Sequence, residues 1–428
     1  MEFSIFINGL SSGAFDHQFV KLYGNSEKTI LRQRARFMSA AEKFSSLFPE
    51  SSEISVFSAP GRTEIGGNHT DHQHGCVVAA AVSADIIALV SYNDEGVIRI
   101  VSDGYEPINI SLDKLSPENE ETGTSAALIR GIASAFSENG TEIGGFNSYI
   151  TSDIPDGSGL SSSAAFEILI GNIIDKHYNR LPVGAEKLAF IGNYAENSYF
   201  GKKSGIMDQL VCSLGGFVFL DLEKPDSLII SQIDLNFRSA GYALCITNTQ
   251  SSHSSLSSEY SAIVSEMCHV AEMLGCSVLR EADENDFYER LPELRDKCSD
   301  RELLRAAHFF SENKRASLQA EALNNGDTEG FFELVNESGQ SSAMLLQNIF
   351  AAGSPEYQPI SLALMMSKKY LSGSGAVRVH GGGFGGTIQA FVPNYMVPGY
   401  IKEMERLFGT DCCSVLNIRS VGGYEFLI

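Results

Sequence analysis

The sequence predicts an α+β protein of two domains, and three observations carry that reading. The chain has 428 residues, beyond the ~100–200 of a usual single domain. Its 43% hydrophobic and 20% charged content matches soluble globular chains with a sizeable core and excludes wholesale disorder. Strand-like and helix-like patterns come in groups instead of in strict alternation, which separates α+β from a doubly wound parallel sheet.

The elements follow in order. The first twenty or so residues carry no clear pattern. Thr29 to Phe48 places Ile30, Leu31, Phe37, Ala41, Phe44 and Phe48 near a 3.6-residue period, an amphipathic helix that Pro49 ends, with Arg32, Arg34 and Arg36 facing solvent. Short β-like runs at Ser55–Ser58, Val77–Val82, Ile86–Tyr92 and Val97–Val101 alternate with Gly- and Asp-rich turns, as in a mostly antiparallel sheet. Helical patterns follow at Ser125–Ser137, Ser161–His177 and Ala185–Asn197, then a strand at Phe217–Asp221. Glu223-Lys-Pro-Asp-Ser227 is the best boundary, dividing the chain into domains 1–222 and 223–428. Beyond it come strands at Ile229–Leu235 and Tyr242–Thr247, helices at Glu259–Gly275, Arg301–Asn324 and Glu329–Gly339, and strands at Ala376–Val379 and Thr387–Pro393. No internal repeat is visible.

Charge and cysteine usage narrow the setting. Lys plus Arg number 31 against 53 Asp plus Glu, a formal charge of −22, and such a field repels phosphodiester backbones and anionic lipid heads. Neither nucleic acid nor membrane is an expected partner. The eight cysteines are scattered without a C-x-x-C pair, so they read as reduced core thiols. The opening residues lack a basic n-region, and no run of ~18 apolar residues occurs, which places the protein in the cytoplasm.

Three segments carry chemistry. Pro155-Asp-Gly-Ser-Gly-Leu-Ser-Ser-Ser-Ala-Ala165 is a glycine turn running into a helix. Its backbone N–H groups at Gly157 and Gly159 can close around an anion, the helix terminus adds its positive dipole end, and Ser161, Ser162 and Ser163 offer hydroxyls. A plain Gly/Ser connector before an N-cap is the bland alternative. Ala59-Pro-Gly-Arg-Thr-Glu-Ile-Gly-Gly-Asn-His-Thr-Asp-His-Gln-His-Gly75 crowds Arg62, Glu64, His69, Asp71, His72 and His74 between strands. The ligand types suit a metal, but such spacings in a glycine loop do not aim imidazoles together. Val379-His-Gly-Gly-Gly-Phe-Gly-Gly-Thr-Ile388 is a third glycine run, weak by itself.

Together, in this order, these segments resemble the galactokinase family within the GHMP superfamily of small-molecule kinases. Ala59-Pro-Gly-Arg62 with His69-Thr-Asp71 is similar to the family's sugar signature, and Gly205-Ile-Met-Asp-Gln209 to its catalytic segment. Thr247-Asn248, Ser257-Ser-Glu-Tyr260 and Asn336-Glu-Ser338 have counterparts too. The resemblance spans roughly residues 40–395. It implies a GHMP kinase fold, with an N-terminal mixed sheet and helices (ribosomal-protein-S5-domain-2-like), a C-terminal ferredoxin-like antiparallel sheet with helices, and the active site in the cleft between. It implies an ATP-dependent sugar 1-kinase, galactose foremost, using Mg²⁺, as a monomer or weak homodimer. Alternatives are a kinase for galactosamine, N-acetylgalactosamine or L-arabinose, or a sugar sensor without turnover.

Residue by residue, the resemblance makes Asp208 the base and Arg62 its neighbouring cation; Ser163 and Glu196 Mg²⁺ ligands; Asn68, His69, Asp71 and Tyr260 sugar contacts; and Gly157, Gly159, Ser161, Ser162, Ser163, Gly382 and Gly383 the ATP-binding set. Departures fall mainly on the sugar side. Asn68 stands where the family has a carboxylate that accepts from the 6-hydroxyl, His72 where it has Tyr, and His380 and Thr387 where it has Thr and Cys. Lys202 and Lys203 replace small residues or Pro in the loop before Gly205.

Overall fold

A computed structural model describes every residue except Asp156, Lys203, Asp226, Asp234, residues 236–239 and 252–256, and Ile428. The chain opens with three helices, α1 (Phe3–Ser12), α2 (Asp16–Tyr23) and α3 (Glu27–Leu47). The first two lie in the stretch without a sequence pattern. They form because Phe6, Leu10, Phe19, Leu22 and Tyr23 bury against Phe37, Ala41 and Phe44 of α3, the sheet residues Val56, Ile87 and Leu89, and Phe426 near the other end of the chain. Helices this short draw their stability from such tertiary packing, and Phe426 is far away in sequence.

The larger sheet is built from β1 (Ser55–Gly66), β2 (Cys76–Asn93), β3 (Val97–Ser102) and β4 (Ile108–Ser111), then, after α4 (Ser125–Glu138), β5 (Gly145–Ser152). Three helices follow, α5 (Ser162–Tyr178), α6 (Ala185–Ala195) and α7 (Met207–Leu214), before β6 (Phe217–Asp221) and β7 (Ile229–Ile233). The β2 strand is continuous where the sequence suggests two runs: its first part pairs with β6, its second with β5. Among the described pairs only β3 against β5 is parallel.

The expected boundary at 223–227 lies inside a hairpin, because β6 pairs antiparallel with β7 from Phe217↔Ile233 to Asp221↔Ile229. Turn chemistry is the same for a hairpin connection and a linker, so composition cannot separate them. The smaller sheet comes after: β8 (Tyr242–Asn248), helices α8 (Ser257–Met273), α9 (Glu284–Glu289), α10 (Leu291–Leu294), α11 (Asp300–Asn324), α12 (Thr328–Ser341) and α13 (Pro359–Leu371), then β9 (Ala376–Val379), β10 (Thr387–Pro393), α14 (Val397–Phe408) and β11 (Cys413–Leu416). Its strands lie in the order β11-β8-β10-β9, all antiparallel. The period of two shows in β8, where Leu244 and Ile246 join the core with Phe331 and Val335 of α12, while Cys245 joins Leu364 of α13 and Met404 of α14. The chain finally returns to the larger sheet, where β12 (Tyr424–Glu425) pairs with β1. The eight cysteines carry no disulfide, and no described helix is long and apolar enough to cross a membrane.

Arg34 and Arg36 are drawn from the expected solvent to carboxylates, while Arg32 stays exposed as expected and pairs at the surface. Arg32 reaches Asp153 at 3.2 Å, Arg34 donates to Asp16, and Arg36 reaches Asp85 at 2.6 Å. Asp85 is fully buried and also accepts from Tyr23 Oη at 2.6 Å, from Arg419 Nη1 at 3.1 Å and from Ser58. Burial alone would raise its carboxyl; Arg36, Arg419 and the two hydroxyls overcome that and hold it below the ordinary value. Four distant segments thus close on one charge. Asp85→Asn keeps the volume but leaves Arg419 buried without a counter-charge, a loss of about 3–5 kcal/mol. Urea unfolding should show a midpoint lowered accordingly at unchanged slope; a midpoint within experimental error of wild type would remove Asp85 from this role.

Candidate active site

Two segments meet at Asp208, the acidic residue in the first turn of α7, and a third loop borders Gly205 just ahead of it. The first is β1 itself, whose pairing with β2 slips between Pro60 and Arg62, a bulge of the kind that re-aims a side chain. Gly61 sits at the slip, and a methyl there would stand 2.6 Å from the Leu160 carbonyl. Only glycine lets the two backbones approach, with Arg62 N–H donating to Leu160 O at 2.9 Å. Arg62 then donates through Nε and Nη2 to the two oxygens of Asp208, each at 2.6 Å, and through Nη1 to Gly159 O at 2.6 Å.

The second loop leads into α5. Gly157, Gly159 and Ser161 all have positive φ, and Ser161, as N-cap, turns its hydroxyl to Asp208 Oδ2 at 2.6 Å instead of capping the helix. Among the described residues no side chain caps the first turn of α5, whose amides can take another acceptor. Burial works to raise the Asp208 carboxyl, but the charge and hydrogen bonds of Arg62 and the Ser161 hydroxyl bring it below the usual carboxylate range. Asp208 is therefore ionised.

Glu196 follows α6 and is buried. Its Oε1 accepts from Lys202 Nζ at 2.8 Å, and its Oε2 from Gln209 Nε2 at 2.9 Å and from Ser204. The same Gln209 amide donates to Glu167 Oε2 at 2.9 Å. Glu167 lies one turn beyond Ser163 on α5, so the Gln209 bridge ties Glu196 to the helix face that carries Ser163. Burial and the charge of Glu196 push Glu167 up to about 9. Glu167 is not among the residues the sequence singles out, and Gln209 appears there only as the end of the Gly205–Gln209 segment, without a role. The available signal was a single carboxylate in the apolar run Ala164-Ala-Phe-Glu-Ile-Leu-Ile170.

The third loop, after β1, is held largely by the smaller half of the fold. Gly67 and Asn68 donate their backbone N–H groups to Glu312 Oε1 on α11 at 3.1 and 3.3 Å, and His308 Nε2 donates to Asn68 O at 2.9 Å. The Asn68 side chain is 1% exposed. It donates to Glu64 and Gly381 O, both at 2.9 Å, and accepts from Asn348 at 2.9 Å and Ser342 at 3.3 Å. The amide expected at a sugar hydroxyl thus has four protein partners and fastens the loop. His69 Nε2 donates to Gly382 O at 3.0 Å, leaving Nδ1 as an acceptor, and burial beside His72 lowers its ring to about 4, so it is neutral. Its ring stacks 6.5 Å from that of Tyr260. The Asp71 carboxylate has no hydrogen bond or ion pair with a described residue, and a methyl added at Gly205 would lie 3.4 Å from its Oδ2. Asp71 therefore borders the segment that leads to Asp208.

Gly382 and Gly383, expected against the nucleotide, face this loop instead. Gly383 O accepts from Tyr260 Oη at 2.9 Å, and a methyl at Gly382 would strike the Tyr260 ring at 2.4 Å. The third segment reaches the loop before α5 through His380, which lies against Gly159, and Thr387, which donates to Ser158 O at 3.1 Å. Burial, then Arg62 and Arg378, lower His380 to about 3, so it braces the loops as a neutral ring. His69, His72 and His74 do not assemble a metal site; among the described residues the only such group is His269, Cys298 and Glu302, in none of these loops.

Residues 42–92 match the galactokinase galactose-binding signature and residues 97–216 the GHMP kinases N terminal domain. The galactokinase of Glaesserella parasuis serovar 5 (strain SH0165) is 33% identical over 362 residues, 84% of this chain and 90% of that protein. The chain belongs to the galactokinase family. That of Streptomyces coelicolor (strain ATCC BAA-471 / A3(2) / M145) is 31% identical over 372 residues, 86% of this chain and 92% of that protein. The fold matches Lactococcus lactis galactokinase complexed with galactose at a TM-score of 0.77 and 24% identity, covering 91% of this chain and 99% of that one. It matches Methanococcus jannaschii mevalonate kinase at 0.61 and 17%, covering 86% and 98%. As in other GHMP kinases, ATP is the phosphoryl donor.

Glu312 supplies a pH test of the clamp. Burial would raise its carboxyl, yet His308, Arg378, Arg315 and Ser338 bring it to about 2. A folded value below the unfolded ~4.3 means the stabilisation, about 3 kcal/mol, is complete above ~4.3 and fades as pH falls toward 2. Glu312→Gln should therefore be less stable than wild type at pH 7, with the gap narrowing below pH ~4.3 in denaturant titrations. A gap that is constant with pH would refute the ionised clamp.

Proposed function

We propose that this chain transfers the γ-phosphoryl group of ATP to the anomeric hydroxyl of galactose. The observation that carries the reading is the Arg62–Asp208 pair, set between the free first turn of α5 and the Asp71 carboxylate, which no described residue engages. The first-turn amides of α5 and its dipole receive the triphosphate. Asp208 accepts a hydrogen bond from the attacking hydroxyl and fixes its direction. Because Arg62 and Ser161 hold Asp208 well ionised, it is a weak base, and the proton crosses late, as a loose phosphoryl-transfer transition state allows. Arg62 stays beside the developing charge throughout. Ser163 and Glu196 supply hard oxygen donors of the type Mg²⁺ prefers, and at Glu196 a cation, the Lys202 ammonium, already stands in. When bound, Mg²⁺ neutralises the β- and γ-phosphate oxygens.

On the sugar side, Asp71 accepts from two neighbouring hydroxyls in the galacto arrangement, and His69 Nδ1 offers a further acceptor. With Asn68 engaged by the protein, the 6-hydroxyl is held less firmly than by a carboxylate.

Two measurements test this. Asp208→Asn should lower turnover about 10²–10⁴-fold in a coupled ADP-release assay while galactose still binds; near wild-type turnover assigns the reaction elsewhere. Galactose should exceed glucose in kcat/KM by up to ~10⁴-fold, since the inverted 4-hydroxyl leaves Asp71 incompletely paired, and 6-deoxygalactose should suffer only mildly. Glucose within tenfold of galactose sinks the role of Asp71.

A further inference from the structure

Lys202 is the charged group at the site that the proposed chemistry leaves without a task. Glu196 begins a wide turn that ends at Gly201, where φ is +87°, and the chain doubles back. The N–H groups of Gly201 and Lys202 both donate to Glu196 O, at 3.1 and 3.2 Å. That return places the Lys202 ammonium 2.8 Å from Glu196 Oε1. Lys202 thus faces the one carboxylate of the Glu196–Glu167 pair that is charged, since burial pushes Glu167 up to about 9.

The two partners differ in how firmly they are held. The Glu196 side chain is 3% exposed, with Oε2 fixed by Gln209 and Ser204, whereas the Lys202 side chain is 55% exposed. Oε1 can exchange its cation without moving the carboxylate, and the lysine stem can swing into water at little cost. A divalent ion on Oε1 and an ammonium on the same oxygen would repel across a few ångströms in a partly desolvated site.

We propose that Lys202 is a built-in counter-ion: it occupies Glu196 Oε1 while no divalent cation is bound, and it must leave for one to bind. The proposal rests on Glu196 being a metal ligand. Its physical sense is that the buried Glu196 carboxylate is never left without a positive partner, and the consequence is a lowered metal affinity. A pair with one exposed partner weakens binding by about two- to fivefold.

The test uses Mn²⁺ as probe, titrated by electron paramagnetic resonance into the full chain with a saturating non-hydrolysable ATP analogue, so that turnover plays no part. Wild type, Lys202→Met and Glu196→Gln are compared, with melting temperatures taken without metal and with saturating Mn²⁺. Lys202→Met should bind Mn²⁺ about two- to fivefold more tightly, and melt below wild type without metal but level with it when Mn²⁺ is saturating. Glu196→Gln should bind it at least about tenfold more weakly. If Lys202→Met binds Mn²⁺ equally or less tightly while Glu196→Gln is weakened, the counter-ion role is refuted and the ligand assignment stands. If Glu196→Gln binds as wild type does, the ligand assignment falls, and the counter-ion role with it.

Discussion

The site is organised around the two-pronged ion pair of Arg62 and Asp208. Placing two charges in a partly buried cleft is unfavourable unless their remaining hydrogen-bonding capacity is met, and here it is met by Gly159 O on one side and the Ser161 hydroxyl on the other. That requirement explains several local oddities. The bulge in β1 turns Arg62 toward α7, Gly61 permits the contact with Leu160, and Ser161 takes a left-handed conformation to reach Asp208. The same turn of Ser161 takes its hydroxyl away from the α5 terminus, so it caps Asp208 and not the helix.

Around this pair the fold supplies a polar frame that ties the loops to both sheets. Helix α11 holds the backbone of Gly67 and Asn68, and the carbonyls of Gly381, Gly382 and Gly383 hold Asn68, His69 and Tyr260. Burial keeps His69 and His380 neutral, so the positive charge beside Asp208 comes from Arg62. A chain of net charge −22 can hold a polyanion because this local field acts at short range while the distant carboxylates are screened.

The N-terminal helices reach the same site from behind. Arg32, Gln33 and Arg36 on α3 all engage the carboxylate of Asp153, and Arg36 also donates to Thr151 O. Asp153 lies just ahead of the glycine turn that carries Gly157, Gly159 and Ser161. Arg36 in addition shares Asp85 with Arg419, near the end of the chain. The stem of the Gly157–Ser161 loop is thereby tied to both ends of the sequence.

The sequence alone determined what short-range chemistry encodes. The helices at 125–138, 162–178 and 300–324 and the strands Ala376–Val379 and Thr387–Pro393 were legible from period and breakers. The family likeness was legible because glycines and charged residues in these loops have few substitutes. What lay outside its reach depended on partners distant in the chain. Helices α1 and α2 needed Phe426, β7 paired back onto β6 across the expected boundary, and Arg36 left solvent because the buried Asp85 lies within its reach. Asn68, Gly382 and Gly383 were read as ligand contacts from motif position, but only the folded chain shows where each polar group finds its nearest partner. Local pattern fixes which residues are polar and which turn; three-dimensional proximity decides which hydrogen bonds the protein keeps for itself and which it leaves for a ligand.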